Sequence, residues 1–403
     1  MREAEAAGES SGLRPSDASR SREAILLLAL AGFNAGISLR CVEPMLPRLA
    51  VEFDSSVSAA ASVMTAFAFA YAGAVLVQGP LGDRFGKLRV VTLAMALSGA
   101  ACIGCAFAWS LGSLAALRFV TAIFASASVA LGMAYIGDVV PLEQRQPTIA
   151  HFIAGSLLGQ TLGPLFGGVF TDWAGWRASF VVLGAVFLLV SLILFVRTAQ
   201  SWPRPAPGRF SPLAIHRTLL SRPSVRWLVG TGVAETFFFF GAYAFLGAFF
   251  KLRYDLSFTV IGLLLAGYGL GGLLYSALVG WLIRALGERG LVLAGGALGC
   301  LLFAAVAVAP HWAYTIPCTL GLGLAFYMIH NTVQLKATEV APDARGAAVA
   351  LYASAWASGQ ATGVAAMGVA VAWFDYAPMI AAFGLGFGLL GVWLRSNLQR
   401  FRP

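Results

Sequence analysis

Charged side chains are scarce in this sequence. Asp, Glu, Lys and Arg together make 11% of its 403 residues, against about 25% in a soluble domain. Most of the chain therefore lacks a surface fit for water, and with 59% hydrophobic residues lipid is the solvent that suits it. Cysteine is equally sparse. Cys41, Cys102, Cys105, Cys300 and Cys318 all lie inside apolar runs, which gives no disulfide framework. Cys102 and Cys105 form a C-x-x-C with no further ligand nearby, so small packing residues describe them better than a redox or metal pair. A Walker A lysine, zinc-ligand spacing and a serine–histidine elbow are all missing, and with them the parts that ATP-driven transport or hydrolysis would use. The stretch Gly267–Gly272 fits G-x-G-x-x-G, but no strand precedes it and it sits within an apolar run, which excludes a nucleotide-binding turn. The expectation is a chain without cofactor, metal site or enzymatic activity.

The formal charge of +9 invites a nucleic-acid reading, and its distribution refuses it. The cations sit in short segments between apolar runs, not on a soluble basic patch. Runs long enough to cross a bilayer as helix fall near 24–46, 57–79, 89–109, 111–135, 147–170 and 178–197, then near 226–249, 258–281, 290–310, 312–335, 346–372 and 377–395. That predicts an all-α membrane protein of twelve spans. Residues 1–20 have no apolar core and do not read as a signal peptide, so the first run is expected to stay as a span.

The proline-rich interval with Pro203, Pro205, Pro207, Pro212 and Pro223 divides the chain. The expected plan is a tail at 1–22, a six-helix bundle at 23–198, a linker at 199–225, a second bundle at 226–397 and a tail at 398–403. Of the 27 Lys and Arg residues, 21 fall in segments on one side of the membrane. The other side holds Arg48, Arg177, Lys251 and Arg253. By the positive-inside rule both termini are cytoplasmic, and a multi-pass protein of the cell (inner) membrane is expected.

An internal repeat runs through the chain. Asp54-Ser55-Ser56 matches Asp255-Leu256-Ser257, Gly79-x-Leu81 with Gly86 matches Gly280-x-Leu282 with Gly287, and Asp138-x-x-Pro141 matches Glu339-x-x-Pro342, each at an offset of 201. Gly159-Gln160-x-x-Gly163 matches Gly359-Gln360-x-x-Gly363 at 200. Anchors holding so constant a spacing indicate duplicated halves, and paired halves around a midplane cavity are a common design of secondary transporters.

Gly79-Pro80-Leu81-Gly82-Asp83-Arg84-Phe85-Gly86-Lys87-Leu88-Arg89 stands between spans 2 and 3 and is expected to reverse the chain within about ten residues, helped by glycine. It resembles the G-x-L-x-D-R-x-G-R-R loop of the major facilitator superfamily, with Lys87 where Arg is usual and Leu88 replacing the second base. Span 5 carries Gly155, Gly159, Gly163 and Gly167, a bare stripe that lets a neighbouring backbone come close. Gly159 to Gly168, with Pro164 and both Gly167 and Gly168, also resembles the G-x-x-x-G-P-x-x-G-G motif of proton-coupled antiporters in that superfamily. A packing stripe accounts for the same residues. The resemblance covers essentially the whole chain. It implies two pseudo-symmetric six-helix bundles in a major facilitator fold, and export by exchange.

Glu235 lies about nine residues into span 7. A carboxylate at that depth costs several kcal/mol unless it is neutralised or faces water, which makes it the first candidate for proton coupling or cation binding. A protonated packing acid is the plainer alternative. At the offset of 201 its counterpart is Asn34, which shares a face with Ser38 and Cys41. Arg40 and Glu43 sit three apart near the outer end of span 1, where they can pair with each other or take part in proton coupling; Pro44-Met45-Leu46-Pro47 resembles a helix-1 ending of drug exporters. Arg118 is the one cation inside span 4. Leu114 to Arg118 resembles the L-x-x-x-R motif of the superfamily, implicated in proton coupling, although Thr121-Ala122 replaces its Q-G. Arg118 needs acceptors, and Glu43 is the nearest acid by expected depth.

By the same resemblance Asp83 faces the start of span 11 and Lys87 bridges to Asp138, a latch that Lys makes softer than Arg would. In the second half Arg284 and Glu288 take the places of acid and base, so that copy cannot work identically. His330, Asn331, Gln160, Gln360 and Phe239 complete the expected cavity lining, His330-Asn331 being similar to segments of bacterial exporters. The reading is a proton-coupled exporter of a small amphipathic, drug-like molecule, expected to be monomeric, with protons, substrate and lipid as partners and no nucleic acid. An uptake symporter driven by protons or sodium, and a non-transporting membrane sensor or assembly subunit, are the alternatives.

Overall fold

The computed structural model describes residues 15–202 and 214–401. The tail before Pro15, with Arg2 and Arg14, the linker residues 203–213 with most of its prolines, Arg204 and Arg209, and the end of the chain at Arg402 lie outside the described residues. Among those described, twelve long helices follow one another without a strand. They are α1 (Pro15–Arg40), α2 (Ser62–Phe85), α3 (Lys87–Cys105), α4 (Leu111–Ala125, resuming after Ser126 as Ala127–Val139), α5 (Leu142–Trp173) and α6 (Trp176–Thr198). In the second half α7 is Pro223–Tyr254. Phe258–Val308 is broken by non-helical backbone at Gly287, giving α8 (258–286) and α9 (288–308). α10 (Thr315–Glu339), α11 (Arg345–Trp373) and α12 (Tyr376–Asn397) close the chain.

Among the described residues, ten segments are long and apolar enough to span a membrane, Phe258–Val308 among them counting once for two helices. α11 has the length but is diluted by glycine, serine and Gln360. Short pieces at Leu46–Glu52, Val57–Ala60 and Ala214–Leu220 extend the expected spans and linker.

The duplication read from sequence is built into the backbone. Asp54 and Asp255, 201 apart, are the non-glycine residues with positive φ among those described, at 45° and 48°. Aspartate tolerates this left-handed region better than most residues. Each is followed two residues later by a serine that caps a helix: Ser56 accepts from the Ala59 N–H and Ser257 from the Val260 N–H. Gly86 and Gly287, with φ of 91° and 62°, make the equivalent reversals. There the expected ten-residue loop contracts to almost nothing. α2 runs through Phe85 and α3 starts at Lys87, so the motif from Gly79 to Phe85 is helical and Gly86 alone turns the chain.

Inside each half the glycines set the spacing. A Cβ on Gly159 would strike the Phe33 carbonyl, and one on Gly359 the Val233 carbonyl; Gly163 lies likewise on Ile37 and Gly363 on Phe237. α1–α5 and α7–α11 are thus the same close-packed pair, related by 200 residues. Gly99 against Gly184 joins α3 to α6, and Gly296 against Gly391 joins α9 to α12. The nucleotide-like glycines Gly267 and Gly271 let α8 lie on Thr319 and Leu320 of α10.

The closest contacts between the halves lie toward the face away from the termini. Gly168 and Pro164 of α5 meet Phe258 and Gly262 of α8. Asp172 accepts hydrogen bonds from the Thr259 N–H and hydroxyl, both at 2.7 Å. The Ser58 hydroxyl donates to the Gly368 carbonyl of α11. On the termini face the ion pairs of the described residues stay within one half: Lys87–Asp138, Arg197–Glu23, Arg222–Asp343 and Lys336–Glu288.

Candidate functional site

Two buried polar clusters occupy the helices that face across the molecule. The first gathers on α1. Its last residue, Arg40, sits where the helix dipole favours a cation, and Glu43 follows in a short helical turn that starts after Val42. Both side chains are fully buried, with Arg40 Nη2 donating to Glu43 Oε2 at 3.0 Å. Nε lies 2.5 Å from Oε1, close but misaligned for a hydrogen bond. The guanidinium reaches into the other half. Its carbon stands 4.9 Å from the Phe240 ring, 5.3 Å from Tyr243 and 4.9 Å from Tyr268, a three-ring cage from α7 and α8 that attracts a desolvated cation.

Arg118 does not meet Glu43. It donates to the Ser38 hydroxyl at 2.9 Å and the Ser38 carbonyl at 2.7 Å, under the Phe67 ring at 4.0 Å. The expected acid is already held by Arg40. Arg118 is therefore a buried cation with neutral acceptors and no ion-pair partner among the described residues. Asn34 also departs from the expectation. Its amide donates to the Leu183 carbonyl of α6, so it points into the first half and not into a cavity between halves. The α1–α5 and α7–α11 contacts, matched at an offset of 200, make Ala35 the counterpart of Glu235 in the first half, one residue from Asn34.

The second cluster is centred on Glu235. The side chain is fully buried, and its Oε1 lies 2.6 Å from His330 Nδ1 on α10. The Tyr352 hydroxyl of α11 is 3.3 Å from Oε1, 3.4 Å from Oε2 and 2.9 Å from the same His330 nitrogen. His330 is stacked on Phe326 with centroids 5.0 Å apart, and on Tyr352. Three helices thus meet at a carboxyl, an imidazole and a phenol. Glu235 and His330 were legible in the sequence as separate residues; Tyr352 was not. The one sign was its place four residues before Trp356 and eight before Gln360, on one face of an otherwise small-residue helix.

The remaining expected residues divide. Phe239 is core. It is buried among Phe240, Tyr243, Tyr268, Phe303, Phe326 and Phe387, so its ring seals the second half and does not line a cavity. Gln360 is buried with its Oε1 lacking a hydrogen bond, while Gln160 is half-buried beside Gly36. Asn331 turns toward the Tyr275 hydroxyl of α8. At the termini face Lys87 bridges to Asp138 at 2.5 Å, as the resemblance implied, with Asp83 a looser 3.7 Å away. Asp83 is mostly exposed, and its ion pair is with Lys87 of its own half. The second half rebuilds the bridge with charges exchanged. Glu288 and Glu339 occupy the places of Lys87 and Asp138, and Lys336 reaches both at 3.2 and 3.0 Å.

This arrangement, duplicated bundles enclosing ionisable groups away from both water and lipid, can be set beside known proteins. The Major Facilitator Superfamily pattern matches residues 28–364. This chain belongs to that superfamily. It is 28% identical over 259 residues to inner membrane transport protein YnfM of Escherichia coli, covering 60% of each chain. It is 27% identical over 207 residues to a bicyclomycin resistance protein homolog of Haemophilus influenzae, covering 51% of this chain and 52% of that one. The chain spans about half the length of the curated relatives it matches. In fold it follows a bacterial homolog of the human lysosomal transporter Spinster in an inward-facing, occupied conformation, with a TM-score of 0.71, 19% identity and 97% coverage of both chains.

Proposed function

We propose that this transporter is a proton-coupled antiporter that exports a small amphipathic molecule by alternating access. The observation that carries the reading is the contact between the buried Glu235 and His330, shared with Tyr352. A carboxylate there costs about 3 kcal/mol in hydrocarbon unless a proton or a cation neutralises it, and the imidazole 2.6 Å away can hold or pass that proton. Exchange needs only that proton and substrate favour different states of the halves. The Arg40 cage and the Asp172–Thr259 contacts hold the far face shut. Loading the Glu235 node from the termini face would then bias the rocking that breaks them, with Arg118 setting the local field. The glycine face at Gly159, Gly163 and Gly167 keeps α1 and α5 moving as one body.

The efflux direction is supported by the G-x-x-x-G-P-x-x-G-G match and by relatives named for drug resistance and efflux. The charge asymmetry supports both termini on the cytoplasmic side, and the protein is taken as a cell-membrane monomer with bundles at 23–198 and 226–397. The test is transport in proteoliposomes under an imposed pH gradient, with an amphipathic cationic dye and labelled citrate as probes. Glu235→Gln is expected to abolish gradient-driven export while leaving dye exchange at equal pH. Undiminished gradient-driven export by that variant removes Glu235 from the scheme. Probe-induced pH change of the opposite sign reassigns the protein to uptake by symport.

A further inference from the structure

We infer that the groove bounded by α2, α3 and α4 holds one anionic phospholipid, with an acyl chain along its floor and the phosphate on Arg89. The groove has a volume of about 540 Å³. Gly73, Val77, Leu81 and Phe85 line it from α2, and Arg89 and Leu93 from α3. Lining residues four apart on each helix make it run along the helix axes, hence across the bilayer. From Phe69 to Phe85 it extends about 24 Å by helical rise. That exceeds one leaflet of a hydrocarbon core about 30 Å thick and leaves room for an extended acyl chain.

The groove opens to lipid. Leu93 is 50% exposed on its rim, and a Cβ on Gly73 would meet nothing within 4 Å. The one amide on its wall, Gln78, is already engaged, donating at 3.0 Å to the Ile123 carbonyl and at 3.0 Å to the Ser126 hydroxyl. Nothing polar therefore competes for the floor, and a saturated chain fits it better than a soluble substrate would.

The end at the termini face has the opposite character. Arg89 is half-buried, its guanidinium 5.9 Å from the Trp202 ring. Arg89 has no ion-pair partner among the described residues, and the nearby acid Asp83 is turned to Lys87. An arginine beside a tryptophan at a membrane edge is suited to a headgroup, and the guanidinium fork can take a phosphate through two hydrogen bonds. A choline headgroup would bring its own cation to that position, which is why an anionic lipid is favoured. This site lies apart from the Glu235 cluster and does not rest on the transport reading.

The test is native mass spectrometry of the full-length protein, released from nanodiscs of phosphatidylcholine with and without phosphatidylglycerol. The wild type is expected to retain one phosphatidylglycerol. Arg89→Gln should weaken retention by about tenfold or more, the effect of losing one charge-assisted contact. Gly73→Phe should displace the lipid by filling the floor while leaving the charge in place. Arg395→Gln, on the same face but far from the groove, should retain it. Equal retention by Arg89→Gln and wild type overturns the proposal. So does equal loss in Arg395→Gln, which would mean general surface attraction, and so does phosphatidylcholine retained as firmly as phosphatidylglycerol. Should Arg89→Gln fail to fold, Gly73→Phe and Arg89→Ala carry the same comparison.

Discussion

Removing the imidazole from the Glu235 node should cost more than removing the same ring from a node without its charge. His330→Phe keeps a planar ring stacked between Phe326 and Tyr352 and deletes the nitrogen 2.6 Å from Glu235 Oε1. Glu235 is then left with the Tyr352 hydroxyl at 3.3 and 3.4 Å. A hydrogen bond to a charged group contributes about 1.5–3 kcal/mol, and a neutral one about 1 kcal/mol. His330→Phe is therefore expected to destabilise the wild type by about 2 kcal/mol, but the Glu235→Gln background by only about 1 kcal/mol. The coupling, about 1 kcal/mol or more, lies above the roughly 0.3–0.5 kcal/mol error of additivity between independent sites. Thermal unfolding of wild type, both single variants and the double variant in detergent micelles gives the comparison. Additive shifts would show that Glu235 and His330 are neighbours that do not share charge, and the proton-coupling role would fall with that result. A smaller, still non-additive effect with Tyr352→Phe should accompany the main one.

A Cβ at Gly159 would collide with the Phe33 backbone, so Gly159→Val should destabilise by about 1–3 kcal/mol through overpacking. Gly79→Ala, where a Cβ meets nothing within 4 Å, should be neutral or slightly stabilising by the same unfolding assay. Lys336→Glu would gather three acids around Glu288 and Glu339; a loss of expression or thermal stability, with recovery in Lys336→Glu/Glu288→Lys, would show the charge-exchanged latch at work. The Asp343 carboxyl is held down to about 2 by the Arg222 guanidinium, below its usual 3.8. Its contribution is therefore full above about pH 4 and lost as pH falls toward 2. Asp343→Asn should therefore lower stability between pH 5 and 8 and cease to matter as pH falls toward 2, and a loss of equal size at pH 2 would contradict this assignment.

The residue pattern alone was enough for the architecture. Twenty-residue apolar runs cannot do otherwise than form helices in lipid, where every backbone N–H and C=O must be satisfied internally. The duplication was legible because positive-φ turns and helix caps accept few residue types, so Asp54 and Asp255, or Gly86 and Gly287, persist at fixed spacing. The glycine stripe of α5 was legible for the same reason: only glycine lets α1 come so near. Lateral placement was not legible. Whether Asn34 faces α6 or a cavity, whether Glu43 pairs with Arg40 or Arg118, and whether Tyr352 closes on Glu235 all depend on the rotation of each helix about its axis. That rotation follows from packing against several partners at once, and α1, α4, α7 and the α10–α11 pair are far apart in the chain. Hydropathy of nearly uniform helices carries no record of it. Phe239 and Phe240 illustrate the point: adjacent and identical in type, one is sealed in a ring cluster while the other cages Arg40 from the opposite half.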